Sequence, residues 1–237
     1  MPAEFDVYAR RYSNLLKDSV RELFAPGSAF FLQRKWTLIR DFYRRQGRDP
    51  GGESWLDVGC GTGEFLRLGR PYFRCAVGCD VSEEMLAASS DLPVRHQTDP
   101  LSLPFDDAQF DFVTAVCVFH HIDPCQRPSI LADFARVLKK GGVACIIEHN
   151  PYNPVTQLIV RRCPVDVNAK LLTAGLTRRL LSAAGLEAVS TEYFLYLPER
   201  IYNACAPLES LLSKVPLGGQ YAVFGRKPET NAGREQR

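Results

Sequence analysis

Three glycines at alternating positions, Gly59, Gly61 and Gly63, follow a short apolar segment and precede a helix-forming one. Glycine lets the backbone adopt positive φ and lets a ligand come close to the main chain. The backbone N–H groups at the start of the following helix would face that ligand. The pattern predicts a turn that binds a nucleotide-like molecule. A dinucleotide fingerprint would need a third small residue at position 64, and Glu64 there argues against NAD and FAD.

An acidic residue, Asp57, stands two positions before the first glycine. The resulting pattern, Asp-x-Gly-x-Gly-x-Gly, resembles motif I of the class I S-adenosylmethionine-dependent methyltransferases. The resemblance covers about residues 54–226, and its specific motifs lie in the first half of that range. It implies S-adenosyl-L-methionine as the cofactor. The glycine turn would pack against the methionine portion of the cofactor, and Asp57 would help to hold its positively charged amino end.

A second acidic residue, Asp80, ends the second predicted strand, 17 positions after Gly63. An acid at this place in an open α/β sheet can accept hydrogen bonds from ribose hydroxyls. Val81 would then pack on the face of the adenine. The alternative role for Asp80 is to cap the next helix, although Ser82 is also a suitable capping residue.

Further family-like segments extend the predicted cofactor site. Residues 98–105 resemble a segment in which an Asp, here Asp99, accepts from the adenine amino group; a plain turn residue is the alternative. Residues 110–122 resemble the fourth strand and the loop after it, in which Ala115 and its neighbours would offer main-chain carbonyls to the cofactor. Tyr8 and Tyr12 lie one helical turn apart and either cover the cofactor as part of a lid or pack into the core.

Methyl transfer requires that the acceptor be aligned and, for a hydroxyl or an ammonium, that a proton be removed. Candidate bases must lie near the carboxyl ends of the fourth and fifth strands. We predict His149 or Glu148 for this role, with His121 as a further candidate. Histidine accepts protons near neutral pH. His120 and His121 also resemble a motif that many family members use for packing, which is the alternative for that pair.

Composition limits the function classes. With 237 residues, of which 46% are hydrophobic and 24% charged, the chain suits a single domain with a substantial core. A formal net charge of +2 argues against a nucleic-acid partner. We expect a cytoplasmic protein without membrane partners, because no apolar run reaches about 20 residues and no leader is evident. Eight cysteines occur without a Cys-x-x-Cys pair, so reduced cysteines and no metal site are expected.

Alternating strand and helix patterns predict an α/β three-layer sandwich with a Rossmann-like, mostly parallel seven-stranded sheet whose last strand is antiparallel. The predicted strands are 54–58, 75–79, 94–97, 110–119, 143–147, 186–196 and 220–225. Within one domain, four regions are expected: a helical lid over 1–50, a cofactor-binding core over 51–148, a substrate-side half over 149–227 and a flexible tail over 228–237.

The predicted function is methyl transfer from S-adenosylmethionine to an oxygen or nitrogen atom of a small molecule. The segments Glu148–Pro154 and Leu217–Val223 resemble a bacterial subgroup of small-molecule methyltransferases, which suggests a sugar or another secondary metabolite as the acceptor. RNA is the alternative acceptor, and quinone or lipid precursors stay open. A non-catalytic protein that binds S-adenosylmethionine and a nicotinamide-dependent reductase are the alternatives from other classes.

Overall fold

The computed structural model describes residues 4–229, apart from the side chains of Glu4, Arg10 and Ser13, and contains one seven-stranded sheet. Its strands are β1 (Ser54–Val58), β2 (Cys75–Asp80), β3 (Val94–His96), β4 (Phe110–Val116), β5 (Leu138–His149), β6 (Glu187–Phe194) and β7 (Gln220–Arg226). The strand order is β3-β2-β1-β4-β5-β7-β6, and β7 is antiparallel to both of its neighbours. The predicted sheet is confirmed.

Helices precede, separate and flank these strands. They are α1 (Tyr12–Leu15), α2 (Ser19–Phe24), α3 (Ala29–Gln46), α4 (Glu64–Gly69), α5 (Glu83–Ala87), α6 (Arg127–Val137), α7 (Pro154–Arg162), α8 (Ala174–Ala183) and α9 (Glu199–Leu212). Because helices connect parallel strands, the carboxyl ends of β1, β2, β4 and β5 meet at one edge of the sheet.

Alternate strand residues pack against helices on opposite faces of the sheet. In β4, Phe112 belongs to an apolar cluster with Trp36 of α3 and Phe65 of α4. Its neighbour Val113 belongs to a second cluster with Phe134 of α6. Strands that are covered on both faces need apolar residues at every position, which explains the runs without polar alternation in the sequence. The predicted three-layer architecture is confirmed.

The fifth strand is longer than predicted. Leu138 already pairs with Phe110, and after a register shift Val143 pairs with Phe112. The strand therefore runs through residues 139–142 as a bulge and begins before the predicted start at residue 143. Pairing with β4 on both sides of the bulge overrides the local turn preference of the two glycines. The boundary predicted at residue 143 is wrong.

The N-terminal region differs in detail from its predicted helical form. The predicted helix through Tyr8 consists of two 3₁₀ turns, Glu4–Val7 and Ala9–Arg11, followed by the short α1. Helix α3 lies within residues 1–50, which the sequence predicts to be helical, and its Phe42 ring stacks on Phe224 with centroids 4.0 Å apart. Helix α3 is thus a layer of the core. The segment before it reaches the cavities described below.

Two further expectations concern the ends of the chain and the membrane. Residues 230–237 of the expected flexible tail lie outside the described residues. Between residues 4 and 229, none of the helices has both the length and the apolar character that a membrane span requires.

Candidate active site

The glycine turn after β1 has the backbone conformation that its sequence predicts. Gly61 has φ +52° and Gly63 has φ +75°, values that residues with a Cβ rarely adopt. A Cβ on Gly63 would lie 2.4 Å from a side-chain carbon of Leu92, so the turn also packs closely against the protein. On Gly61 a Cβ would meet no atom within 4 Å. This open space at Gly61 lets a ligand lie directly on the main chain.

Asp80 connects the end of β2 to the glycine turn. One carboxylate oxygen accepts a hydrogen bond from the backbone N–H of Gly61 at 2.8 Å, and the other accepts from the N–H of Ser82 at 2.9 Å. Burial raises the pKa of the Asp80 carboxyl. The cap of α5 is Ser82, whose hydroxyl accepts from the N–H of Met85. Asp80 therefore holds the shape of the turn and remains at the cavity wall.

Asp57 is buried beneath the same turn. Its side chain accepts a hydrogen bond from the Thr114 hydroxyl at 2.6 Å, and the residue is 2% exposed. Burial raises the pKa of its carboxyl to about 7, and the nearby Asp80 adds to the rise. A carboxyl of this kind exchanges its proton near neutral pH, so its charge depends on what lies beside it.

A cavity of about 620 Å³ opens at the edge of the sheet where β1 and β2 end, and we call it the turn cavity. Gly59, Gly61, Asp80 and Val81 line it, together with Tyr12. The volume falls within the range typical of small-molecule sites. Five predicted cofactor residues therefore meet at one cavity, with Tyr12 contributed by the N-terminal segment.

The other predicted cofactor residues lie outside the lining of the turn cavity. The Asp99 carboxylate accepts a hydrogen bond from the N–H of Leu101 at 2.9 Å, which is the geometry of a turn residue. Ala115 is fully buried within β4, and Tyr8 is half-buried. Gln97, which the sequence analysis did not single out, lines the cavity instead of Asp99.

A smaller cavity of about 260 Å³ adjoins the turn cavity, and we call it the histidine cavity. The two cavities share Tyr12, Cys117 and His121 as walls. His149 and His120 also line the histidine cavity. A further part of its wall comes from α2, α3, α7 and the start of β7, through the residues Phe24, Phe31, Lys35, Ile159 and Gln220.

Glu148 does not face either cavity. It is fully buried at the end of β5, where its two oxygens accept from the N–H of Phe119 and face Nδ1 of His120, each at 2.6 Å. Although burial raises the pKa of Glu148, the facing His120 holds it below its usual value. Burial lowers the pKa of His120, but Glu148 and Asp166 outweigh this effect and raise it to about 10. Glu148 thus positions His120.

The other two predicted bases are accessible from the histidine cavity. His149 is half-buried, and its Nδ1 lies 3.4 Å from Nε2 of Gln220. Burial and the neighbouring His120 lower the pKa of His121 to about 4, so His121 is neutral at pH 7. Both imidazoles can therefore meet a molecule bound in this cavity.

At the histidine cavity, the sequence analysis also made no prediction for Cys117 and Asp166. Cys117 follows β4 with φ +58°, and Nζ of Lys35 lies 3.5 Å from its sulfur. Burial raises the pKa of the Cys117 thiol, but Lys35 and His149 outweigh it and lower the pKa to about 7. Asp166 lies on the turn after α7, 3.4 Å from His120 and His121. No local spacing signals these contacts, because Lys35 and Asp166 come from distant segments.

A family model described as a methyltransferase domain matches residues 56–146, the segment that holds the glycine turn, Asp80 and β4. This segment is a methyltransferase domain. It resembles the class I, S-adenosylmethionine-dependent type, whose cofactor is S-adenosylmethionine. The turn cavity suits this cofactor, because it offers an open main-chain surface at Gly61 beside the carboxylate of Asp80.

Known proteins similar to the chain include one named as a tRNA methyltransferase and one named as an uncharacterized methyltransferase. The chain is 31% identical to "Probable tRNA methyltransferase 9B" of Homo sapiens over 135 residues, which are 55% of this chain and 29% of that protein. It is 32% identical to "Uncharacterized methyltransferase YcgJ" of Bacillus subtilis over 109 residues, 42% of either protein. The chain thus spans less than half of each of these two relatives.

Among solved structures, one similar fold is that of a Thermotoga maritima S-adenosylmethionine-dependent methyltransferase with the name "possible histamine N-methyltransferase". The two structures align with a TM-score of 0.65 and 19% sequence identity, over 94% of this chain and 97% of the other. The methyltransferase domain of the chain therefore sits in a fold that the Thermotoga protein shares over nearly its whole length.

Proposed function

We propose that the protein transfers a methyl group from S-adenosylmethionine in the turn cavity to an oxygen or nitrogen atom of a small molecule in the histidine cavity. The observation that carries this proposal is the common wall of the two cavities, formed by Tyr12, Cys117 and His121. Displacement at a methyl carbon needs donor and acceptor atoms in line and about 3–3.5 Å apart before reaction. Adjoining cavities would allow that arrangement.

The cofactor residues proposed here have separate tasks. Gly59 and Gly61 would form the main-chain surface for the methionine portion, and Asp80 would accept from the ribose while it holds the turn. Val81 would pack on the adenine. When bound, S-adenosylmethionine supplies the methyl group and leaves as a neutral thioether. Asp57, Gly63, Asp99, Ala115 and Tyr8 stay proposed cofactor residues, of which Asp57 and Gly63 support the turn from beneath.

His149 is the proposed general base. It is half-buried, lies at the end of β5 and lines the histidine cavity, so it can reach a proton on a bound acceptor. Glu148 is no longer the equal candidate that the sequence suggested, because both of its oxygens are engaged by Phe119 and His120. His121 lies between the two cavities, where it would contact both cofactor and acceptor.

The walls of the histidine cavity indicate the class of acceptor. Phe24, Phe31 and Ile159 provide an apolar surface, whereas Arg21 and Lys35 provide positive charge. A compact organic molecule with an apolar body and a hydroxyl or acidic group would match both. The cavity volume of about 260 Å³ suits a compact ligand of this kind. These features support the small-molecule proposal, including a sugar derivative or another secondary metabolite.

A tRNA nucleotide is the second candidate acceptor. The similarity to the human protein named as a tRNA methyltransferase favours it. A net charge of +2 favours the small molecule, because RNA binding draws much of its affinity from phosphate contacts.

One experiment separates these functions. The purified protein is incubated with methyl-labelled S-adenosylmethionine and either a low-molecular-weight metabolite extract or bulk tRNA, with His149→Ala as the control for each. Label transferred to the metabolite fraction and lost in the variant supports the proposal. Label transferred to tRNA instead would replace it with the second candidate. Binding of the cofactor without transfer to either pool would favour the non-catalytic alternative.

A further inference from the structure

Three potential metal ligands converge at the wall of the histidine cavity. Oδ1 of Asp166 lies 3.4 Å from Nε2 of His120 and 3.4 Å from Nε2 of His121. One potential ligand atom from each of the three residues lies within 4.8 Å of the other two. One carboxylate oxygen thus faces two imidazole nitrogens at the same distance.

These distances fit a shared metal ion better than direct hydrogen bonds. A charge-assisted N–H···O bond spans about 2.7–2.9 Å, so 3.4 Å is long for one. Two ligand atoms at about 2.0–2.1 Å from a tetrahedral zinc ion lie about 3.3–3.4 Å from each other. The separation of Asp166 from each histidine nitrogen is therefore that of two ligands on one tetrahedral ion.

The other ring nitrogen of His120, Nδ1, has the kind of partner that is found at metal-binding histidines. Its Nδ1 faces the Glu148 carboxylate at 2.6 Å, and Glu148 is itself fixed by the N–H of Phe119. His120 is 1% exposed and Glu148 is fully buried. A carboxylate on the second ring nitrogen fixes the tautomer and the ring orientation of a histidine ligand. Here it directs Nε2 of His120 toward Asp166 and the cavity.

We propose that His120, His121 and Asp166 bind one divalent metal ion of the zinc class, with a fourth position open to the histidine cavity. Three protein ligands and one open position are typical of catalytic zinc sites, in which a water or substrate oxygen completes the tetrahedron. The open position would bind a hydroxyl or carboxylate oxygen of the acceptor. This last role rests on the proposed function, whereas the metal site itself does not.

The spacing of the cysteines predicts no metal site, and cysteine spacing carries no information on ligands from histidine and aspartate. The three ligands here are two adjacent histidines and an aspartate that the fold brings from another segment. Cys117 also lines the histidine cavity, so a test must distinguish nitrogen and oxygen ligands from a thiolate.

The test uses the full chain after treatment with a chelator. Zn²⁺ is titrated by calorimetry, and Co²⁺ is titrated by visible absorption, which reports coordination geometry. We expect one equivalent of each metal and a tetrahedral Co²⁺ spectrum without cobalt–thiolate charge-transfer absorption. His121→Ala and Asp166→Asn should each weaken binding at least about tenfold, and Glu148→Gln should weaken it by about 10–100-fold through the loss of orientation.

His96→Gln is the matched histidine control, because His96 contacts the carbonyl of Val81 and Glu83, away from the three ligands. It should keep the metal affinity of the unchanged protein. Circular dichroism and urea denaturation establish that every variant is folded, and S-adenosylmethionine binding is measured on the unchanged protein. Absence of stoichiometric metal binding, equal affinity in Asp166→Asn, or a thiolate spectrum would each overturn the proposal. Metal binding without S-adenosylmethionine binding would instead overturn the proposed function alone.

Discussion

The Asp80 carboxylate accepts a hydrogen bond from the backbone N–H of Gly61 at 2.8 Å, which joins the end of β2 to the glycine turn after β1. This contact brings a polar side chain and an open main-chain surface to one wall of the turn cavity. The two features come from neighbouring parallel strands, so the sheet itself sets their separation.

Replacing Asp80 should weaken cofactor binding in a graded way. Asp80→Ala removes both the acceptor for Gly61 and the proposed acceptor for the ribose. We expect the S-adenosylmethionine affinity measured by calorimetry to fall at least about tenfold, which is ~1.4 kcal/mol. Asp80→Asn keeps one oxygen that can accept from Gly61, so its affinity should lie between those of Asp80→Ala and the unchanged protein. Glu84→Gln, on the exposed side of α5, is the control and should keep the affinity of the unchanged protein. If all three variants bind S-adenosylmethionine equally well, Asp80 does not contribute to the cofactor site.

The buried carboxyl of Asp57 should give the fold a characteristic pH dependence. Its pKa is about 7 in the folded protein against an ordinary value of 3.8, so the folded state binds the proton more tightly. The associated stability is fully present below about pH 3.8 and is lost as pH rises through about 7. The variant Asp57→Asn has no titrating group at position 57. Relative to this variant, the unchanged protein should lose free energy of unfolding between pH 4.5 and about 7.5 in urea titrations.

The carboxyl of Asp111, whose pKa is shifted in the opposite direction from that of Asp57, provides the comparison. The Asp111 carboxylate pairs with Lys139 and accepts from Ser54. Although burial raises its pKa, these partners hold it below the ordinary value. Asp111 therefore stabilises the fold above its unfolded pKa and loses that effect as pH falls. A pH-independent difference between Asp57→Asn and the unchanged protein would contradict the assignment of the raised pKa to Asp57.

The base role of His149 predicts a loss of turnover without a loss of cofactor binding. General-base catalysis contributes about 10²–10⁴-fold, so His149→Ala should lower kcat by at least about 100-fold on the acceptor identified by label transfer. The affinity for S-adenosylmethionine should change little. Tyr152→Phe alters an exposed residue three positions after His149 and should keep kcat. An unchanged kcat in His149→Ala would show that the acceptor needs no base from this residue.

The stacked pair Phe42 and Phe224 should dominate the contact between α3 and the sheet. Both rings are nearly inaccessible, and they lie parallel at 4.0 Å. Phe42→Ala should lower the free energy of unfolding by about 3–5 kcal/mol in urea denaturation. Leu23→Ala, at a side chain that is 77% exposed, should change it by less than about 0.5 kcal/mol. A cost below ~1 kcal/mol for Phe42→Ala would mean that α3 is not part of the stable core.

The cofactor half of the site could be predicted from sequence because its signals are local. Gly59, Gly61 and Asp80 follow strand segments directly, so their positions at the sheet edge follow from strand order alone. The Asp99 carboxylate closes a turn with the N–H of Leu101, which is the alternative role that the sequence left open beside adenine binding. A side chain's direction within an exposed loop depends on local turn geometry, which the segment pattern did not specify.

The acceptor half could be predicted only in part. The ends of β4 and β5 suggested Glu148 and His149, but the side chains at a strand end point in alternate directions. The backbone places Glu148 inward against His120 and leaves His149 at the cavity. Asp166 and Lys35 join the site through tertiary packing of α7 and α3. No pattern near them in sequence indicated a partner.

The most direct test of the account is calorimetric titration of the folded full chain with S-adenosylmethionine and with S-adenosylhomocysteine. We predict one equivalent of each, mutual competition between them, and weakened binding of both in Asp80→Ala. If neither compound binds, while circular dichroism shows a folded protein, then the turn cavity is not a cofactor site and the proposed methyl transfer is wrong.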